Sequence, residues 1–85
     1  SDAASVSPSA VLEPGCITLP PAYVGADAHL GVGCIVNAGA IVDHNAHLGR
    51  GAHVAPGGIV KASAEVADFG KVDSGEIVRS PWENQ

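Results

Sequence analysis

The fold is decided by residues 30–59, which divide without remainder into five hexads: LGVGCI, VNAGAI, VDHNAH, LGRGAH and VAPGGI. Each hexad opens on an aliphatic residue and carries a small residue four positions later. The same spacing extends outward to Val6 and Val78, and twelve of the thirteen opening positions are aliphatic, with Thr18 as the exception. A repeat that keeps its phase over most of a chain predicts one continuous structure without a domain boundary.

A turn is built into each hexad, because the third residue after the aliphatic position is usually one that tolerates positive φ. Asp27 and Asn45 stand there in two hexads, and glycine stands there at Gly15, Gly33, Gly39, Gly51 and Gly57. A period of six fits neither the 3.6-residue helix nor the heptad. Each hexad is therefore predicted to form a short strand and a corner, with its aliphatic and small residues pointing inward.

Three hexads make a coil of 18 residues, and coils stacked at about 4.8 Å would join their inward residues into an apolar column. The sequence thus predicts an all-β fold, a parallel β-helix of about four coils forming one domain over residues 1–85. We expect regular coils over about 6–78 and a capping tail over 79–85 that folds across the open end. Phe69 replaces a corner glycine, and Trp82 interrupts the column of small residues near that end.

Composition excludes several classes of partner. The chain has 85 residues, a net charge of −5 and only four Lys and Arg, so it lacks the clustered cations that bind nucleic acid or an anionic membrane. It contains no long apolar run and no signal-peptide pattern, which predicts a soluble, cytoplasmic protein. Aromatic residues make up 4% of the chain, so its core is small and self-association is the expected remedy.

The hexad pattern, as in LGVGCI and LGRGAH, resembles that of the hexapeptide-repeat acyltransferases. That resemblance implies a left-handed parallel β-helix and a homotrimer. Residues 36–58, VNAGAIVDHNAHLGRGAHVAPGG, are similar to a narrower signature, that of bacterial sugar N- and O-acetyltransferases of the sialic-acid and bacillosamine type. This similarity implies acetyl transfer from acetyl-CoA to an amino or hydroxyl group of a sugar nucleotide.

In that subfamily an Asn-x-Gly-Ala stretch precedes a catalytic histidine, and a second histidine follows nine residues later. The matching residues here are Asn37, His44 and His53. The resemblance implies that His44 is the general base, that His53 assists it and that Asn37 contacts the substrate. Each could instead be an ordinary surface or turn residue, because short motif matches carry a risk of false positives.

The chain departs from the family pattern in three respects. The family's amino-terminal nucleotide-sugar domain and its last coils, which complete the CoA site, have no counterpart in these 85 residues, so the sequence resembles the catalytic middle of a larger enzyme. Asn45 follows His44 where the family has an acidic residue, and Ala62 with Ser63 stands where a paired glycine step helps to accommodate the acetyl-CoA arm. These departures keep a second hypothesis open, that of a noncatalytic trimeric β-helix serving as a scaffold or assembly module. Binding of acetyl-CoA would distinguish the two hypotheses.

No metal site is expected from the four histidines. Relatives of this fold that hold interfacial zinc place two histidine ligands five residues apart, and the spacings here are 3, 6, 9, 15, 18 and 24. His29 and His47 are one coil apart, with Glu65 a coil further, so we expect them to stack as a polar ladder. Cys16 and Cys34 are also one coil apart, but their parallel Cβ vectors predict reduced thiols in the small inward column.

Overall fold

The computed structural model describes residues 5–80, which form thirteen β-strands of two residues each and no helix. The strands are β1 (Ser5–Val6), β2 (Val11–Leu12), β3 (Ile17–Thr18), β4 (Tyr23–Val24), β5 (His29–Leu30), β6 (Ile35–Val36), β7 (Ile41–Val42), β8 (His47–Leu48), β9 (His53–Val54), β10 (Ile59–Val60), β11 (Glu65–Val66), β12 (Lys71–Val72) and β13 (Ile77–Val78). Each strand joins the last residue of one hexad to the first residue of the next, and the four residues between strands form the predicted corner.

The strands form three parallel sheets, which we call faces, because every third strand lies beside the last. The first face contains β1, β4, β7, β10 and β13; the second contains β2, β5, β8 and β11; the third contains β3, β6, β9 and β12. Paired residues are 18 apart, as with Tyr23 and Ile41. Backbone amides of one coil donate to carbonyls of the next, for example Tyr23 N–H to the Ala40 oxygen at 3.0 Å. The predicted all-β solenoid of about four coils is confirmed.

The core is a column of aliphatic strand residues and small corner residues inside the three faces. Its fully buried members include Val24, Ala28, Leu30, Cys34, Val36, Ala40, Val42, Ala46, Ala52, Val54, Val60 and Ala64. Each buried aliphatic side chain contributes roughly 1.5–3 kcal/mol relative to exposure. Val6, in the first of the described coils, is 37% exposed because it lies at the end of the stack. Both inward columns predicted from the spacing are therefore confirmed.

The corners between strands form three edges of the prism. The first edge, between the first and second faces, consists of residues 7–10, 25–28, 43–46 and 61–64; the second joins the second and third faces, and the third joins the third and first. Every residue predicted to have positive φ has it, with values between 58° and 82°, and Ser63, Phe69 and Gly75 share this conformation. The corner chemistry predicted from sequence is thus confirmed.

The first edge differs from the other two in the residues that take the left-handed conformation. Asp27, Asn45 and Ser63 do so in three successive coils, with φ of 58°, 60° and 61°. Glycine fills most of the equivalent positions on the other edges. Asp and Asn visit this conformation routinely as single residues, so they can replace glycine at a corner. The first edge thus carries polar side chains at the turn position where the other edges mostly carry glycine.

The three faces present different outward side chains. The first face carries Tyr23, Ile41, Ile59 and Ile77; the second carries Val11, His29, His47 and Glu65; the third carries Ile17, Ile35, His53 and Lys71. Tyr23, Ile41 and Ile77 are 42%, 38% and 44% exposed. The first face is thus a continuous apolar strip, whereas the second is polar over most of its length.

The strands continue at regular intervals to β13. Trp82 and most of the predicted capping tail lie outside the residues that the structure describes. Within residues 5–80 no helix is long and apolar enough to cross a membrane. Left-handedness of the coil stays a prediction.

Candidate active site

His44 lies on the first edge, in the corner between β7 and β8, and is exposed. Its backbone is fixed within its own coil and by the two neighbouring coils. Asp43 Oδ1 accepts a hydrogen bond from the His44 amide at 2.7 Å, and the His44 carbonyl accepts one from the Ser63 amide at 3.1 Å. The Asn45 amide donates to the Ala26 carbonyl at 2.9 Å. The His44 side chain is therefore exposed to solvent, while the backbone that carries it is held by hydrogen bonds.

The coil beside His44 is packed so closely that it requires glycine at position 25. A Cβ atom on Gly25 would lie 2.7 Å from the His44 backbone nitrogen, which is closer than real Cβ contacts. Above and below His44 the same position in the corner is occupied by Ala26 and Ala62. Alanine has the smallest side chain of the chiral residues, so the side chains on either side of the His44 imidazole along the edge are small.

The imidazole of His44 is oriented by the residue that follows it. Asn45 Oδ1 lies 3.3 Å from His44 Nδ1, and an amide oxygen can only accept. A hydrogen bond across this contact places the proton of the neutral ring on Nδ1 and leaves the lone pair on Nε2. An exposed ring nitrogen with a lone pair is the atom that a general base needs.

Asn37 and His53 are brought together by the structure. Asn37 follows β6 at the third edge, His53 is on β9 of the third face, and Asn37 Nδ2 lies 2.9 Å from His53 Nε2. Both residues are half-buried. The family resemblance gave these residues separate roles, and the contact between them was not foreseen.

His44 and His53 are not brought together within one chain. The first edge, which carries His44, is the edge opposite the third face, which carries His53. The apolar first face lies between the two: His44 borders it on one side, and the Asn37–His53 pair borders it on the other. A cleft containing both histidines therefore requires a second copy of the chain.

A separate shallow groove of about 340 Å³ lies on the second face. The rings of His29 and His47 meet edge to face, with centroids 5.7 Å apart, and Glu65 pairs in register with His47. The stacked ladder expected from the 18-residue spacing is confirmed. Glu13, which the sequence reasoning missed, adds a contact of 3.0 Å from its Oε2 to His29 Nε2. Within residues 5–80 no three His, Cys, Asp or Glu side chains are placed to hold a metal ion.

The signal that could have revealed the two missed contacts is a separation of 16 residues. Glu13 and His29 are 16 apart, and so are Asn37 and His53. In each pair, the first corner residue of one coil contacts the outward strand residue of the next coil. The corner residue lies two positions after the strand residue that pairs in register 18 residues away, so the separation is 16. This diagonal relation can be read from the sequence once the coil length is known.

The two cysteines are free thiols in the inward column, as expected. Cys16 Sγ donates to the Gly31 carbonyl at 3.1 Å, and Cys34 Sγ donates to the Gly49 carbonyl at 3.0 Å. Burial raises the pKa of the Cys34 thiol above its ordinary value of 9.0. A thiol held neutral in this way is a core residue and a poor nucleophile.

Comparison with known proteins found no matching family model and no matching curated protein. Among solved structures, the chain is similar to a His-to-Asn variant of perosamine N-acetyltransferase from Caulobacter crescentus in complex with CoA and GDP-perosamine. The identity is 24% and the TM-score 0.49, over 88% of this chain and 44% of that one.

Two further solved structures are similar at 22% identity, each over 88% of this chain. A His-to-Ala variant of the Caulobacter crescentus GDP-perosamine N-acetyltransferase, in complex with CoA and GDP-perosamine, has a TM-score of 0.44 and is covered over 49%. The acetyltransferase domain of PglB from Neisseria gonorrhoeae FA1090, in complex with acetyl coenzyme A, has a TM-score of 0.41 and is covered over 42%. The chain thus spans less than half the length of each of these proteins.

Proposed function

We propose that this chain is the catalytic β-helix of an acetyltransferase that moves acetyl from acetyl-CoA to an amino or hydroxyl group of a sugar nucleotide. The observation that carries the proposal is the state of His44. Its ring is exposed on a rigid corner between two alanines, with Nδ1 engaged by Asn45 at 3.3 Å. The order and spacing of Asn37, His44 and His53, which resemble the acetyltransferase signature, supply the reaction class.

In this reaction acetyl-CoA supplies an activated acetyl thioester. His44 Nε2 accepts the proton of the acceptor amine or hydroxyl as that group bonds to the acyl carbon. The carbon–sulfur bond then breaks, and His44 returns the proton to the departing thiolate, so charge and protons balance. A general base in this position typically accelerates a reaction about 10²- to 10⁴-fold.

The acyl oxygen gains negative charge during the transfer and needs donors near it. The Ala62 amide belongs to the coil stacked on His44 and donates no hydrogen bond within residues 5–80. It is one candidate donor. The other is His53, which reaches the same cleft only from a neighbouring copy.

The fit of the site to acetyl-CoA depends on the corner at Ala62 and Ser63. Ser63 adopts φ of 61°, so the backbone follows the path that a glycine would take, and Ala62 adds only a methyl group. Ser63 therefore adopts the same left-handed backbone that glycine adopts at the other corners. We propose that the donor arm runs along the first edge past these two residues.

The assembly we propose is a homotrimer whose first faces surround the threefold axis. The apolar strip of exposed Tyr23, Ile41 and Ile77 with half-buried Ile59 supports this choice, because apolar strips of this kind are buried in oligomers. With the first faces inward, the first edge of each chain adjoins the third edge of the next. His44 would then face His53 of the partner subunit, and three equal clefts would form.

A cytoplasmic location is part of the proposal. The free thiols of Cys16 and Cys34 support it, because reduced cysteines are typical of reducing compartments.

A noncatalytic trimeric scaffold is the second candidate. The apolar first face favours assembly whether or not the chain is an enzyme, and Ala62 and Ser63 depart from the family's glycine step. This alternative predicts a trimer that does not bind acetyl-CoA.

Isothermal titration of the chain with acetyl-CoA separates the two candidates. We expect saturable binding with one site per chain, together with release of free CoA thiol when a panel of amino-sugar nucleotides is added. If a folded trimer neither binds acetyl-CoA nor releases CoA thiol, the acetyltransferase proposal is excluded and the scaffold hypothesis remains.

A further inference from the structure

The hydrogen bond between Asn37 and His53 determines which nitrogen of His53 carries a proton. Asn37 presents its amide nitrogen, Nδ2, to His53 Nε2 at 2.9 Å. An amide nitrogen has hydrogens to donate and no lone pair with which to accept. His53 Nε2 must therefore accept, and the proton of the neutral ring lies on Nδ1.

The Nδ1–H group of His53 is left available as a donor. No residue among 5–80 accepts a hydrogen bond from it, yet within that range every buried side-chain nitrogen or oxygen of a residue that is not exposed has a partner. His53 is half-buried, so its ring atoms fall under that finding. Because Nδ1 has no partner there, it must be accessible at the protein surface. The contact with Asn37 thus fixes an N–H donor at the protein surface.

The two histidines are set in opposite ways by two asparagines. Asn45 turns its oxygen toward Nδ1 of His44, so that ring keeps a free lone pair on Nε2. Asn37 turns its nitrogen toward Nε2 of His53, so that ring keeps a free N–H on Nδ1. Acyl transfer needs one group that takes a proton and one that donates a hydrogen bond to the acyl oxygen.

We infer that Asn37 is a positioning residue that holds His53 in its Nδ1–H tautomer and so makes it a hydrogen-bond donor. The catalytic meaning of this role rests on the proposed acetyl transfer. The tautomer itself does not, and it can be measured without any substrate. Asn37 then acts through His53 and need not touch the sugar nucleotide.

The test is the tautomer of His53, read from two-bond ¹H–¹⁵N correlation spectra of ¹⁵N-histidine-labelled chain at a pH where the ring is neutral. We expect the wild type to show a protonated Nδ1 and an unprotonated Nε2. Asn37→Asp should reverse this pattern, because both carboxylate oxygens can only accept and so require an Nε2–H. His53→Ala assigns the signals.

Asn45→Asp serves as the matched control, since it makes the same chemical change beside the other histidine and should leave the His53 pattern unaltered. Asn37→Ala should release the ring toward a mixture of tautomers. If Asn37→Ala does not fold, the near-isosteric Asn37→Asp carries the test. A wild-type His53 protonated on Nε2, or a pattern that is the same in wild type and Asn37→Asp, overturns the inference.

Kinetics separate this inference from the proposed function. If the wild type transfers acetyl groups, Asn37→Asp should lower kcat roughly 10²-fold, the usual cost of losing one donor to the acyl oxygen, with KM for the sugar nucleotide unchanged. A rise in KM alone would make Asn37 a substrate contact and refute the positioning role. An inactive wild type with the expected tautomer would refute the acetyl transfer and leave the assignment of His53 standing.

Discussion

Asn45 Oδ1 lies 3.3 Å from His44 Nδ1, in a corner where Asn45 itself adopts a φ of 60°. One side chain thus meets two demands: it tolerates the left-handed backbone that the corner requires, and it accepts from the ring that the corner displays. Asparagine is one of the few residues other than glycine that visit this conformation routinely. What it lacks is the negative charge of the acidic residue that the resembling family has after its catalytic histidine.

Replacing Asn45 by aspartate should raise activity. Aspartate also tolerates left-handed backbone, and a hydrogen bond to a carboxylate is roughly twice as strong as one to a neutral acceptor. It should stabilise the protonated His44 that forms as the acceptor loses its proton. We expect kcat to rise by about 3- to 10-fold, for a gain of roughly 1 kcal/mol. Equal or lower kcat in Asn45→Asp, with unchanged melting temperature, would contradict this role of the neighbour.

Removing the imidazole of His44 should strongly slow acetyl transfer. His44→Ala is expected to lower kcat about 10²- to 10⁴-fold because the general base is lost. The side chain is exposed, so melting temperature and oligomeric state should not change. His47→Ala is the matched control, as His47 is an exposed histidine three residues away on the second face. Equal activity losses in the two variants would argue against a specific role for His44.

The inward phase of the hexads predicts a sharp difference between two alanines. Ala46 is fully buried in the small column, and Ala26 is exposed at a corner. Ala46→Leu should overpack the prism and cost on the order of 1–3 kcal/mol, whereas Ala26→Leu should be mild. Chemical denaturation of both variants measures the difference. Equal unfolding free energies would be incompatible with the packing described above.

A charge on the first face should break the proposed trimer. Ile41→Glu places a carboxylate in the middle of the apolar strip, where assembly would bury it without a partner. We expect sedimentation to show trimer for the wild type and monomer for this variant at micromolar concentration. Val11→Glu, at a position 50% exposed on the second face, should remain trimeric. A wild type that sediments as an 8.4 kDa monomer would exclude the trimer outright.

Stability should fall at high pH through Cys34. Because burial raises the pKa of this thiol above 9.0, the folded chain keeps a proton that the unfolded chain loses above that pH. The thiol thus has no effect on the pH dependence of unfolding below about pH 9, and the unfolding free energy declines above it. Cys34→Ala should remove this part of the decline.

Alkylation followed by mass spectrometry should also modify the half-buried Cys16 well before Cys34.

The fold was predictable because the period of six alone sets both strand position and side-chain direction. Val24, Val42 and Val60 fall on one inward line whatever their neighbours are, and they are all fully buried. The corner conformations followed just as directly, since Asp27 and Asn45 stand where glycine stands elsewhere. A local rule repeated in every hexad leaves little for tertiary context to decide.

The candidate site was less predictable because its contacts cross between coils. Spacing placed His44 at a corner and His53 on a face, but the family resemblance supplied their roles. The contact of Asn37 with His53 depends on the diagonal offset between a corner and the strand above it. Whether His44 meets His53 of the partner subunit depends on an assembly that one chain does not contain.

The 18-residue separation of paired strands also sets the step by which such a sequence can be lengthened or shortened. Duplicating one complete coil would extend the rod by about 4.8 Å and return every later residue to its own side. Inserting a single hexad would instead turn the rest of the chain by one third of a revolution, so that a histidine on the first edge would move to the second. Inserting whole coils therefore changes only the distance between residues along the rod, whereas inserting single hexads moves the later side chains to a different face or edge.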